Sequence, residues 1–196
     1  MRRTVYRPSE ALDLAIDVMS AIYATPPPDM PHAPWLVQGL DMRAIRRELR
    51  LSCAGPEAIN FMVIEGLVRD LAVHRHRTVM FCLRKRSAVA STISLLYRMA
   101  EARLRAFLAC RLTEDEFDQL DAVVQLLSSA PLTLVELPPV YDIADLLDLE
   151  SSDPATVLVF DHPVGESMRR ERVRSTQSII CPSGAPEHPA RKGHTR

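Results

Sequence analysis

The residues able to do chemistry are few and scattered. Cys53, Cys82, Cys110 and Cys181 stand too far apart for a CxxC metal site. Three of them lie in apolar runs (LRLSCAG, TVMFCL, AFLAC), where a buried free thiol is the ordinary outcome. His74 and His76 flank one arginine in a basic turn with no third ligand nearby, so no metal site is expected. Asp161 and His162 are adjacent, as in a catalytic pair. Neighbouring strand residues point to opposite faces, however, and no nucleophile is placed beside them. The run Arg84-Lys85-Arg86 reads as a solvated strand end with a capacity to hold acidic groups.

Phosphate chemistry is poorly provided for. A phosphate-cradling loop needs clustered glycines and a lysine. The chain has six glycines, and only Gly39, Gly55 and Gly66 precede residue 160. Of 24 basic residues, only Lys85 and Lys192 are lysines. No run of about 18 apolar residues exists to span a membrane. The opening MRRTVYRPSE has no apolar stretch behind it to act as a signal peptide, so a cytoplasmic location is expected. From Ser167 onward, seven basic residues face two acidic ones, a net of +5, which leaves the body net acidic. Such a tail can touch DNA or an acidic partner by charge alone, or remain a disordered, solvated segment.

The elements that must position these residues alternate. Residues 1–25 hold an N-terminal helix opened by Pro8 and Ser9, with Leu12, Ala15, Ile16, Met19, Ile22 and Tyr23 on one apolar face. That face must dock on the chain's own body or on another subunit. Residues 26–36, with Pro26, Pro27, Pro28, Pro31 and Pro34, read as a stiff linker. Across 37–166, strands are expected at LRLSC (49–53), TVMFCL (78–83), LTLVEL (132–137) and TVLVFD (156–161). Between them lie helices at 56–73, 87–109, 113–127 and 141–149, the third opened by a capping box of Thr113 and Glu116. Apolar strands alternating with helices imply an α/β fold whose mostly parallel sheet is covered on both faces. Residues 167–196 form the basic, disordered tail, with one weak further strand at Ser178–Cys181.

Within that layout, TVMFCLRK followed by a long helix and then RLTEDEFDQLDAVVQLLSSAPLTL resembles the ATPase domain of DnaB-type replicative DNA helicases. Members typically read VLFFSLEM, then GRLTDEEW with spaced leucines up to APL. The likeness covers residues 9–163 and is dense from 78 to 135. It implies a RecA-like three-layer sandwich, incomplete at its C-terminal end. It also places helix 9–24 where the family has a linker helix that packs on a neighbouring subunit.

The same resemblance removes the reaction. The family's Gly-Lys-Thr phosphate loop falls on Glu57-Ala58-Ile59-Asn60-Phe61. Ile59 replaces the glycine, Asn60 the phosphate-neutralising lysine and Phe61 the magnesium-holding hydroxyl. Glu57 would repel each unit of phosphate charge by about 3 kcal/mol at about 5 Å. The family's catalytic glutamate falls on Arg84, which cannot accept a proton at neutral pH. Only Asp161, at the magnesium-binding aspartate, survives. Asn60 and Asp161 are therefore vestigial cofactor positions, no residue is assigned as catalytic, and ATP and Mg are not expected as cofactors. The function implied is that of a degenerate helicase-like protein acting through protein contacts in DNA replication, its partner a replicative helicase or a second copy met through helix 9–24. The alternatives are a divergent ATP-binding helicase subunit, a nucleic-acid binder using the basic tail, and a decaying remnant.

Overall fold

In a computed structural model of the chain, the described residues are 3–24, 36–54, 56–141, 146, 156–164 and 178–181. Their elements run β1 (Thr4–Tyr6), α1 (Pro8–Ala24), β2 (Leu36–Val37), β3 (Leu40–Asp41), α2 (Met42–Cys53) and α3 (Pro56–Arg69). A π-helical turn (Asp70–His74) follows, then β4 (Val79–Leu83), α4 (Ala88–Met99), α5 (Leu104–Leu108), α6 (Glu114–Ser128), β5 (Leu132–Glu136), β6 (Val157–Phe160) and β7 (Ser178–Ile180). The main sheet has the order β1-β5-β4-β6-β7. β5, β4, β6 and β7 are parallel, and β1 adds antiparallel at the edge, pairing Val5 with Val135.

The sheet is apolar on both sides because β4 and β6 carry unbroken hydrophobic runs. Every residue of both strands is buried. Val79, Phe81 and Leu83 alternate into one core with α1, α4 and α6, while Met80 and Cys82 face a smaller core with Leu158, Phe160, Val164 and Leu146. The α/β fold with a mostly parallel sheet is as expected. The expected helix at 141–149 lies outside the described residues except for Tyr141 and Leu146, and the linker at 26–36 does so except for Leu36. The weak strand in the tail is present as β7 beside β6, the only described part of 167–196 apart from Cys181.

One expected strand is a helix. LRLSC ends α2, in which Met42, Ile45, Leu49 and Ser52 are buried at helical spacing. Asp41 caps it, its Oδ1 accepting from the Arg43 and Ala44 amides at 2.9 and 3.3 Å. Seen alone, LRLSC looks like a short apolar strand; seen from Met42, Leu49 belongs to a 3.6-residue buried period, while Leu51 faces out with Arg43, Arg47 and Arg50. The cap is delivered by the β2–β3 hairpin, whose turn residues Gln38 and Gly39 both have positive φ, as a two-residue primed turn requires.

The N-terminal helix docks on its own body. Ala11, Leu12, Ala15, Val18 and Ile22 are buried against α4, α6 and β5, and Ile16 is left facing out. The Thr113–Glu116 capping box forms as expected. The Arg103 guanidinium grips the same Glu116 at 3.0 and 3.2 Å and, with the Thr113 amide, holds its carboxyl down to about 2.

Candidate functional site

The chain leaves β4 towards β5 on one side of the sheet, and β6 lies on the other side. In an open parallel sheet, the crevice at such a divergence is where ligands bind, outside the carboxyl ends of the strands. Here it is closed by a side chain. Asp161, just past β6 and 2% exposed, accepts the Arg84 amide on Oδ1 and the Lys85 amide on Oδ2, both at 2.9 Å. Asp161 thus ties the exit of β4 to the exit of β6. The Asp161 amide completes the tie by donating to the Cys82 carbonyl at 3.1 Å.

The adjacent histidine is not on the opposite face. β6 ends at Phe160, and the chain bends at Asp161 and His162, so the strand alternation expected between them does not apply. His162 Nδ1 lies 2.9 Å from Asp161 Oδ1, and Nε2 lies 2.6 Å from the Tyr141 hydroxyl. A carboxylate accepts, so Nδ1 donates to it and Nε2 is left to accept from Tyr141. Burial pushes the Tyr141 hydroxyl well above its usual range. The array has the order nucleophile, base, orienting acid, yet its members are satisfied by one another and His162 is buried.

Around this centre the chain's own charges occupy the places an anion would take. Lys85 Nζ pairs with Glu57 Oε1 at 2.7 Å across the gap between β4 and α3. The first amides of α4 are taken by carboxylates. Glu48 accepts from the Ser87 amide and hydroxyl at 2.8 and 2.7 Å, and Glu136 accepts the Ala88 amide at 2.7 Å. Lys85, Glu48, Ser87 and Glu136 line a cleft of about 220 Å³ with Thr4, Arg84 and Pro138. Burial raises the Glu136 carboxyl, and Glu48 adds to the effect against the opposing Ala88 hydrogen bond.

Of the residues singled out in the sequence, Asp161, Arg84, Lys85 and Glu57 come together here. Asn60 does not: it is exposed on α3, and among the described residues no hydrogen bond joins it to Asp161. Ile59 is also exposed, whereas Phe61 is buried beneath the Arg86 guanidinium, 4.0 Å from its ring centroid. The element before α3 is the helix α2 rather than a strand, so the strand-to-helix frame of a phosphate loop is missing among the described residues along with its residue types.

The largest surprise is Arg86, expected as a solvated cation. Its side chain is 2% exposed and stands 2.6 Å from Glu65 Oε1, itself fully buried. Arg86 Nη1 directs its hydrogen bond to Ser52 Oγ at 2.9 Å, so the Glu65 contact is an ion pair rather than a second hydrogen bond. Glu65 Oε2 accepts from Ser94 and from Arg98 Nε at 2.9 and 2.8 Å. Two cations share one carboxylate, and Arg86 Nε and Nη2 find no hydrogen-bond partner among the described residues. Nothing local in the sequence marks Glu65, a lone acid inside an apolar helix. His74 and His76 are exposed, and no cluster of three or more metal-ligating side chains exists among the described residues. No described helix is long and apolar enough by itself to cross a membrane.

Set against known proteins, the chain matches no family model, no curated protein and no solved structure.

Proposed function

We propose that the chain is a non-hydrolysing α/β module, RecA-like in descent, that works by binding another protein. One observation carries the reading. Each group placed to receive a phosphate or its metal ion at the ends of β4 and β6 is already engaged by the chain itself. Asp161 has both oxygens on backbone amides, Lys85 is paired with Glu57, and the α4 amides are capped by Glu48 and Glu136. Admitting a nucleotide there means breaking the tie between two core strands. The resemblance of residues 78–135 to DnaB-type helicases supports a replicative helicase, or a second copy of the chain, as partner.

Within the chain the apolar face of α1 packs on α4 and α6, which leaves Ile16 of that helix exposed for a partner. The exposed hydrophobics of α3 suit the role better: Ile59, Met62 and Val63 recur at helical spacing and are each at least half exposed. Calorimetric titration with ATP and ADP, with and without magnesium, tests the loss of nucleotide chemistry, the expected result being no binding heat. Size-exclusion chromatography with light scattering, alone and with the host replicative helicase, tests the partner. A strict monomer that ignores the helicase refutes the binding role, and magnesium-dependent ATP binding lost in Asp161→Ala restores the enzyme reading.

A further inference from the structure

A second cleft, away from the strand ends, has a different chemistry. It measures about 610 Å³, within the range of small-molecule sites. It opens between the end of α2, the side of α4 and the first residues of α5, with Met62 of α3 on one wall. Arg98, Arg103, Arg105 and Arg111 line it, and no carboxylate does.

The local charges do not cancel. Glu65 serves Arg86 and Arg98 together, and Glu116 serves Arg103. Arg105 spends one nitrogen on the Cys53 carbonyl at 2.9 Å, and neither Arg105 nor Arg111 has an ion pair among the described residues. Five guanidiniums therefore gather around two carboxylates, although the body of the chain is net acidic. Like charges repel unless a counterion joins them, and the planar fork of arginine fits the paired oxygens of a phosphate or carboxylate. Met62, Leu104 and the alanines at 102, 106 and 109 give the lining an apolar part, beside Ser52, Cys53, Ser94 and Tyr97. A cleft with cationic donors and a greasy wall selects a ligand with both features.

We propose that this cleft binds a small organic oxyanion, a phosphate or carboxylate head on an apolar body, with Arg105 and Arg111 holding the head and Met62 and Leu104 packing the body. The site is independent of Asp161 and needs no magnesium.

The probes are phenyl phosphate, benzoate and inorganic phosphate, titrated calorimetrically into the full chain. Phenyl phosphate or benzoate should bind at least about tenfold more tightly than inorganic phosphate, and the order of the two names the head group. Arg111→Glu should weaken that binding at least about tenfold, while magnesium should leave it unchanged. The second readout is placement. Cys53 lines the cleft, so a bound probe should slow its alkylation by iodoacetamide, mapped by mass spectrometry, relative to Cys181. Absence of binding by both organic probes, binding unaltered in Arg111→Glu, or an unprotected Cys53 each overturns the proposal. Organic-anion binding with no response to ATP upholds the site whatever becomes of the protein-binding role.

Discussion

Replacing Asp161 by asparagine tests directly whether that side chain is a structural tie or an idle metal ligand. In the wild type, three N–H groups converge on the carboxylate: the amides of Arg84 and Lys85 and His162 Nδ1, each at 2.9 Å. An asparagine amide has one carbonyl oxygen, so it can serve Arg84 and His162 or serve Lys85, but not all three. Its NH2 group then faces an N–H donor. A hydrogen bond to a charged group contributes about 1.5–3 kcal/mol, and an N–H left facing another donor has no water to compensate it. Asp161→Asn should therefore cost about 2–3 kcal/mol, a large share of the roughly 5–15 kcal/mol typical of a domain. The sharper expectation is the ranking. Asp161→Ala, which leaves room for water, should be no worse than Asp161→Asn despite removing more atoms. Urea unfolding followed by circular dichroism measures both. A loss below about 0.5 kcal/mol for the asparagine variant, within the scatter of ordinary surface changes, refutes the tie.

Three further outcomes follow from the same geometry. Glu65→Gln strands the buried Arg86 charge and should cost about 3–5 kcal/mol in denaturant unfolding, whereas the Glu65→Met, Arg86→Met pair should recover most of that loss; equal losses in single and double variants would contradict the ion-pair account. Burial raises the Glu136 carboxyl above its ordinary 4.5, so the folded state holds that proton longer than the unfolded one. Stability from this group is full below the unfolded value and is lost as pH rises through the folded one. Glu136→Gln keeps an acceptor for the Ala88 amide and should flatten that decline in Tm measured from pH 4 to 7. Tyr97→Phe should be neutral or stabilising by up to about 1 kcal/mol in the same assay, because the buried Tyr97 hydroxyl has no hydrogen-bond partner among the described residues.

What was legible in the sequence is what a single segment decides. The capping box at Thr113 and Glu116 needs only four residues, and the unbroken runs of β4 and β6 need only their own composition. LRLSC shows how a window cut too short misleads, since its period is visible only from Met42. Asp161 could be singled out, but its role could not: its partners are 77 and 76 residues away. Arg86 and Glu65 are harder still. Each looks like an ordinary charged residue, and their burial becomes apparent only when α3 and α4 are brought against the end of β4. The arginines of the second cleft are likewise drawn from α4, α5 and the turns around them, with no motif to join them.

The pairing of β1 with β5 also sets a timetable for synthesis. Thr4 leaves the ribosome 132 residues ahead of its partner Glu136. At about 5–20 residues per second, the nascent chain waits on the order of ten seconds before that edge of the sheet can close. Until then α1 can rest on α4 but lacks β5 beneath its inner face, so its seat is completed late. Contacts of such long range slow folding. They also leave the nascent N-terminus a client for holding chaperones, and make a destabilised α1 the expected point of entry for proteases.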